Sequence, residues 1–248
     1  MNIKIKNLLL IFIISLTSCF RGYQPGYVAG ESSINLDNRI QPDSIIESMI
    51  QPYKMQLADE LNEVIGHAPS TLTTRKLESS LGNFIADLLR EEAQKHYSGK
   101  VDLAAITNGG IRIPITKGDI SVRDIFELMP FENNLLILTI DGSTAMKLFD
   151  YLAAKRNISI ANTEINIQGN RAVDILIGGE RFNPDKTYTL AISDYLANGG
   201  DNMFFLKNCK RITLNLKLRD AIIEYIKYLT SQGKNVEARV EGRVRGVE

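Results

Sequence analysis

The clearest periodicity in the chain lies between residues 79 and 96. Leu81, Phe84, Ile85, Leu88 and Leu89 recur at intervals of three and four, which places them on one face of a helix. Ser79 or Ser80 can cap its start by accepting from a free backbone N–H. Gly82 falls in the first turn, where a helix former is preferred, so it predicts close approach by another backbone or a ligand. Ser143 opens a second helical face made of Ala145, Leu148, Phe149 and Leu152. Leu218, Ala221, Ile222, Tyr225, Ile226 and Leu229 mark a third, near the C-terminus. Residues 122–128 form a short helix that ends before Pro130. Helical spacing also begins after Asp43, and Pro52 should end or restart it.

Between these faces lie apolar runs too short to be helices. Residues 101–106, 135–140, 165–167, 173–177 and 188–192 read as strands, with a Gly169-Asn170 turn dividing the third from the fourth. Strands interleaved with helices predict an α/β fold (α+β layered), a mixed β-sheet packed with helices. No internal repeat stands out. A chain of 248 residues suits one domain or two small ones.

Composition changes that picture little. Hydrophobic residues make up 44% and charged residues 23%, as in ordinary soluble domains. Lysines and arginines balance the acidic residues at 29 each, and no basic face is evident, so nucleic acid is not an expected partner.

The first residues change it more. Lys4 and Lys6 precede an apolar run over residues 8–16, too short to span a bilayer as a helix. Leu16-Thr17-Ser18-Cys19 follows, and this resembles the bacterial lipobox, in which the cysteine is lipidated and becomes the new N-terminus. Residues 1–18 are then a lipoprotein signal peptide and residues 19–42 a flexible tether rich in Gly and polar residues, from which residues 43–248 follow as the domain. Removing the signal peptide takes away two lysines and leaves 27 basic against 29 acidic residues, or −2. Phe20 rather than Asp follows the cysteine, which leans toward the outer membrane. The expected place is the bacterial cell envelope, held to a membrane through the lipid anchor. Cys209 then has no partner for a disulfide and reads as a small buried hydrophobe.

The residues of a dimetal hydrolase are not evident. Only His67 and His96 are present, far apart in sequence, and neither belongs to a zinc-type cluster. No Walker loop and no Gly-x-Ser-x-Gly elbow occurs. No metal or other cofactor is expected in the chain.

Three segments carry candidate binding chemistry. In Thr107-Asn108-Gly109-Gly110-Ile111-Arg112, directly after a strand, Asn108, Gly109 and Gly110 allow a sharp turn that exposes backbone N–H groups. Arg112 can present a planar fork of donors to an anion such as phosphate; a tight turn with a solvated arginine is an equal reading. In Met129-Pro130-Phe131-Glu132-Asn133 the aromatic either packs in the core or stacks on a flat ligand. In the run from Ser193 to Asp201, Tyr195 can stack on a base while the Asp201 carboxylate accepts from ribose hydroxyls. The alternative is a glycine-rich turn with Asp201 as a cap.

Taken in order, Glu78 to Asp87 (ESSLGNFIAD), Asn108 to Arg112, Leu128 to Phe131 and Tyr195 to Asp201 (YLANGGD) resemble the C-terminal domain of the 5′-nucleotidase / UDP-sugar hydrolase family. The resemblance covers roughly residues 45–245 and includes Gly242-Arg243. It implies a substrate-binding domain in which Phe131 and Tyr195 sandwich a base, Asp201 holds the ribose and Arg112 meets phosphate or ribose. Two positions depart from the pattern. Strict spacing puts Thr107 where the family has its asparagine, and Leu77 where an arginine often stands.

The metallophosphoesterase domain that performs hydrolysis in that family has no counterpart in these residues. The chain is therefore expected to bind a nucleotide or nucleoside and to be inactive as a hydrolase alone. It would work in nucleotide catabolism with a separate metallophosphoesterase chain that supplies the divalent metals. A non-catalytic, lipid-anchored nucleotide-binding or interaction lipoprotein is the alternative.

Overall fold

The computed structural model describes residues 43–247. The signal peptide, Cys19 and the tether fall outside them. The first helix, α1, spans Ser44–Leu61. Asp43 caps it, accepting from the backbone N–H of Ile45 at 2.9 Å. Pro52 lies inside this helix, contrary to the expected break. It forfeits one backbone bond, and the ring sits exposed, where the turn can open toward solvent.

The next elements are β1 (Val64–Ala68), α2 (Ser80–His96), β2 (Leu103–Thr107), β3 (Gly118–Ser121), α3 (Val122–Leu128), β4 (Asn134–Asp141) and α4 (Gly142–Lys155). There follow β5 (Ile158–Ala161), β6 (Thr163–Gln168), β7 (Arg171–Ile177), β8 (Glu180–Arg181), β9 (Thr187–Ser193) and the single turn α5 (Asp194–Ala197). Last come β10 (Lys210–Lys217), α6 (Leu218–Ser231) and β11 (Val244–Val247).

A five-stranded sheet in the order β10-β4-β9-β2-β5 forms the centre. Its β2–β9 pair is parallel and its other pairs are antiparallel. Both of its faces are buried. Ala104 and Ile106 of β2 join Leu135 and Ile137 of β4 in one core with α2, α3 and α6. Leu103 and Ala105, with Leu136, Leu138 and Ile140, point to the other core, where α4 and the strands β6 and β7 pack. A strand covered on both sides reads as a continuous apolar run, which is why 101–106 and 135–140 were visible in the sequence.

The second sheet, β11-β6-β7-β8, runs antiparallel except for the parallel β11–β6 pair. A small β1–β3 ribbon completes the strands.

The cap of α2 is Ser79, whose hydroxyl accepts from the N–H of Gly82 at 3.2 Å. Gly82 faces β5: a Cβ built there would lie 1.9 Å from the Ser159 hydroxyl oxygen. The close approach is thus made by a neighbouring strand, not by a ligand. Asp141 caps α4 in place of Ser143, accepting from Thr144 N–H at 2.7 Å. Cys209 is partly covered, and burial pushes its thiol pKa up, in keeping with a packing role.

Candidate functional site

The Glu78–Asp87 motif packs against residues 241–243, and Asp87, Glu241, Gly242 and Arg243 line an opening of about 520 Å³. The Glu78 carboxylate is buried and accepts from the Asn83 amide at 2.8 Å and from the backbone N–H groups of Glu241 at 2.7 Å and Gly242 at 2.9 Å. Burial alone would raise its pKa, and these hydrogen bonds outweigh it and hold the carboxyl below its usual range. Asn83 also donates to the Arg239 carbonyl at 2.9 Å. Arg243 meets Asp87 in a bidentate pair at 2.7 and 2.6 Å and bonds Glu241 as well. The motif and the Gly242-Arg243 pair therefore grip one another. Leu77, which stands at the position of the pattern's arginine, takes a left-handed φ of 70°. Arg75 beside it donates to the Glu78 carbonyl at 3.1 Å.

The other three segments converge. Strand β2 ends at Thr107 and passes into a 3₁₀ turn, Asn108–Gly110. Loop 129–133 leads from α3 into β4, and β9 delivers Ser193, the cap of α5. Together they enclose a cavity of about 360 Å³ lined in part by Gly109, Gly110, Arg112, Phe131, Tyr195 and Asp201. Ligand pockets commonly fall between about 300 and 1,000 Å³.

Asn108 does not line it. Its amide nitrogen donates to the Arg75 carbonyl at 3.0 Å, its backbone N–H bonds Asn157, and its Oδ1 is buried without a partner among the described residues. Thr107, which strict spacing had placed at the family asparagine, lines the cavity instead. Neither glycine of the turn has a positive φ. A Cβ at Gly109 or Gly110 would meet nothing nearer than 4.0 and 3.8 Å, so the chain's own packing does not demand glycine there. Their bareness leaves the cavity wall open to a close neighbour. Arg112 is exposed and forms no ion pair among the described residues; its guanidinium bonds the Gly109 carbonyl at 3.3 Å. It remains available to an anion.

Opposite stand the aromatics. Phe131 is 41% exposed and Tyr195 50%, high values for rings of this size. The Tyr195 hydroxyl donates to Asp201 Oδ1 at 3.0 Å and accepts from the Asp201 N–H at 3.3 Å. The Tyr151 hydroxyl donates to the Asp201 carbonyl at 2.5 Å, and burial, then the nearby Asp201 and Tyr195, raises its pKa. Asp201 itself sits at φ 52°, a left-handed conformation that few side chains adopt. Gly200 must be glycine: a Cβ there would be 2.5 Å from the Tyr195 ring. The Asn134 amide donates to Asp194 at 3.2 Å, tying the strand after Phe131 to the turn that carries Tyr195.

Asn133, Ser193, Met129 and Leu218 also line the cavity and were not singled out from sequence. Leu218 opens α6, more than a hundred residues after Arg112, and no local pattern signals that meeting. Elsewhere among the described residues, Glu92, His96 and Glu224 bring possible ligand atoms within 4.8 Å of one another. Lys95 already occupies Glu92 at 2.6 Å, and none of the three lines the cavity.

Known proteins share the sequence pattern and the fold. The family model for the 5′-nucleotidase C-terminal domain matches residues 64–208. The chain is 28% identical to the trifunctional nucleotide phosphoesterase protein YfkN of Bacillus subtilis, covering 87% of this chain and 16% of that protein. It is 28% identical to a 5′-nucleotidase of Diplobatis ommata, over 87% of this chain and 42% of the relative. Among solved structures, the 5′-nucleotidase precursor of Thermus thermophilus superposes with a TM-score of 0.70 at 25% identity. That match covers 84% of this chain and 44% of the other. The chain thus spans less than half the length of these relatives. The match to more than half of its residues, on the fold and motifs described above, places this chain in the 5′-nucleotidase C-terminal domain family.

Proposed function

We propose that the cavity binds a nucleotide or nucleoside, and that the domain is the binding half of a 5′-nucleotidase-type phosphohydrolase system. One observation carries this reading: three separated segments bring Arg112, Phe131, Tyr195 and Asp201 to a single cavity. Two half-exposed rings suit stacking on a base, which is tolerant of base identity because every base has a π-face. The Asp201 carboxylate suits ribose hydroxyls. Arg112, without an ion-pair partner among the described residues, suits phosphate. The relatives, a nucleotide phosphoesterase and a 5′-nucleotidase, support the same ligand class.

Hydrolysis belongs to a metal-bearing phosphoesterase half. We propose that a separate chain supplies it, because the family match falls on the binding domain. A lipid on Cys19 would hold the pair at the bacterial cell envelope. The test is calorimetry with AMP, adenosine and a UDP-sugar on the domain, with Asp201→Ala and Phe131→Ala beside it. Binding that falls about tenfold or more in each variant is expected. Wild-type protein that binds none of the three ligands overturns the reading, and a lipid-anchored interaction protein then takes its place.

A further inference from the structure

Loop 129–133 carries Phe131 and Asn133 to the cavity, yet five residues between a helix and a strand do not fix a ring by themselves. Met129 buries one end of the loop at 1% exposure. At the other end the Asn133 carbonyl accepts from the Leu218 N–H at 2.9 Å. Between these two points stands Glu132. One of its carboxylate oxygens bonds Lys217 Nζ, the other an Arg219 guanidinium nitrogen. Lys217 ends β10 and Arg219 belongs to the first turn of α6. Glu132 is exposed, but Arg219 is buried at 6%. The guanidinium lies 4.1 Å over the Phe126 ring, and its Nε has no partner among the described residues. Glu132 is thus the carboxylate that answers a buried cation beneath the loop.

We propose that Glu132 is a positioning residue: by clamping loop 129–133 to Lys217 and Arg219, it presets Phe131 for stacking on a bound base. The inference rests on the nucleotide-binding reading of the cavity. Its physical content is preorganisation. A ring held in place before the ligand arrives need not be ordered during binding. Glu132 itself lies outside the residues that line the cavity, so it acts through its neighbours rather than on the ligand.

The experiment is a set of AMP titrations by calorimetry on wild type, Glu132→Gln, Phe131→Ala, Asp201→Ala and the two doubles that pair Glu132→Gln with each. Melting temperatures are read alongside. Glu132→Gln is expected to weaken AMP binding about fivefold. That loss should vanish in the Phe131→Ala background and persist in the Asp201→Ala background. Glu132→Asp, which keeps the charge, should recover part of the affinity. If Glu132→Gln does not fold, Lys217→Met removes the exposed arm of the clamp and should show the same pattern with a smaller loss.

Unchanged AMP affinity in Glu132→Gln overturns the proposal. So does a loss of equal size in both backgrounds, which would mark a general loosening of the fold. Wild-type protein that binds no AMP is a different result: it removes the nucleotide reading, and this inference with it.

Discussion

Two regions of this molecule carry the family's sequence motifs, and they are physically opposite. Around Glu78 and Arg243 the polar groups are paired with one another, with Glu78 and Asn83 buried and Arg243 and Asp87 partly so. Around Arg112, Phe131 and Asp201 the rings are half exposed, the guanidinium meets no carboxylate among the described residues, and the backbone at Asp201 is left-handed. The first region is complete as it stands. The second holds groups whose chemistry is still unspent, which is the mark of a binding site rather than of a structural joint. Motifs of equal prominence in a sequence therefore divide into one whose groups pair with one another and one that lines the cavity.

Three measurements can break or sharpen that division. The largest effect belongs to Glu78→Ala. It leaves the buried Asn83 amide and two partly buried backbone N–H groups without their acceptor, and the loss should be about 2–4 kcal/mol in urea unfolding. A loss under about 1 kcal/mol would mean that the region is not the joint described. Next comes Asp201→Gly, which relieves the left-handed φ but removes the carboxylate. Its stability should stay within about 1 kcal/mol of wild type while AMP binding falls. A strongly destabilised Asp201→Gly would erase the contrast between the two regions.

The smallest effect is in pH. Glu78 has a folded pKa held below 4.5 by its hydrogen bonds. Its contribution is therefore full above the unfolded value and is lost as pH falls through the folded one. Thermal melts of wild type should steepen in their pH dependence below about 4.5, and those of Glu78→Gln should be flatter over the same range.

Much of the fold was legible because the central strands are covered on both faces. β2 and β4 then appear as unbroken apolar runs, and the periodic faces of α2, α4 and α6 match the helices found. The misses have local causes. β10 is an edge strand with an alternating, mostly exposed sequence, and β11 is four residues with a glycine. β10 carries only a short alternation of Ile212, Leu214 and Leu216 and β11 only two valines, so neither forms an unbroken apolar run. Helix α1 runs through Pro52 where a break was expected.

At the cavity, Arg112, Phe131, Tyr195 and Asp201 were legible from motif and chemistry. Thr107 replaces Asn108 at the lining because the turn sends Asn108 back to Arg75, a matter of backbone direction that residue identity does not carry. Leu218 reaches the cavity, and Lys217 and Arg219 reach loop 129–133, through the sheet order, in which β10 lies beside β4 despite the long stretch of chain between them.

The grip of Glu78 on residues 241 and 242 also sets an order of events during synthesis. A nascent chain emerging at about 5–20 residues per second carries this carboxylate long before its donor partners exist. Until residue 242 is free of the ribosome, Glu78 lacks these two backbone donors, and β6 can pair with β7 but not yet with β11. The last contacts of this joint are therefore made only when residues 241–247 arrive.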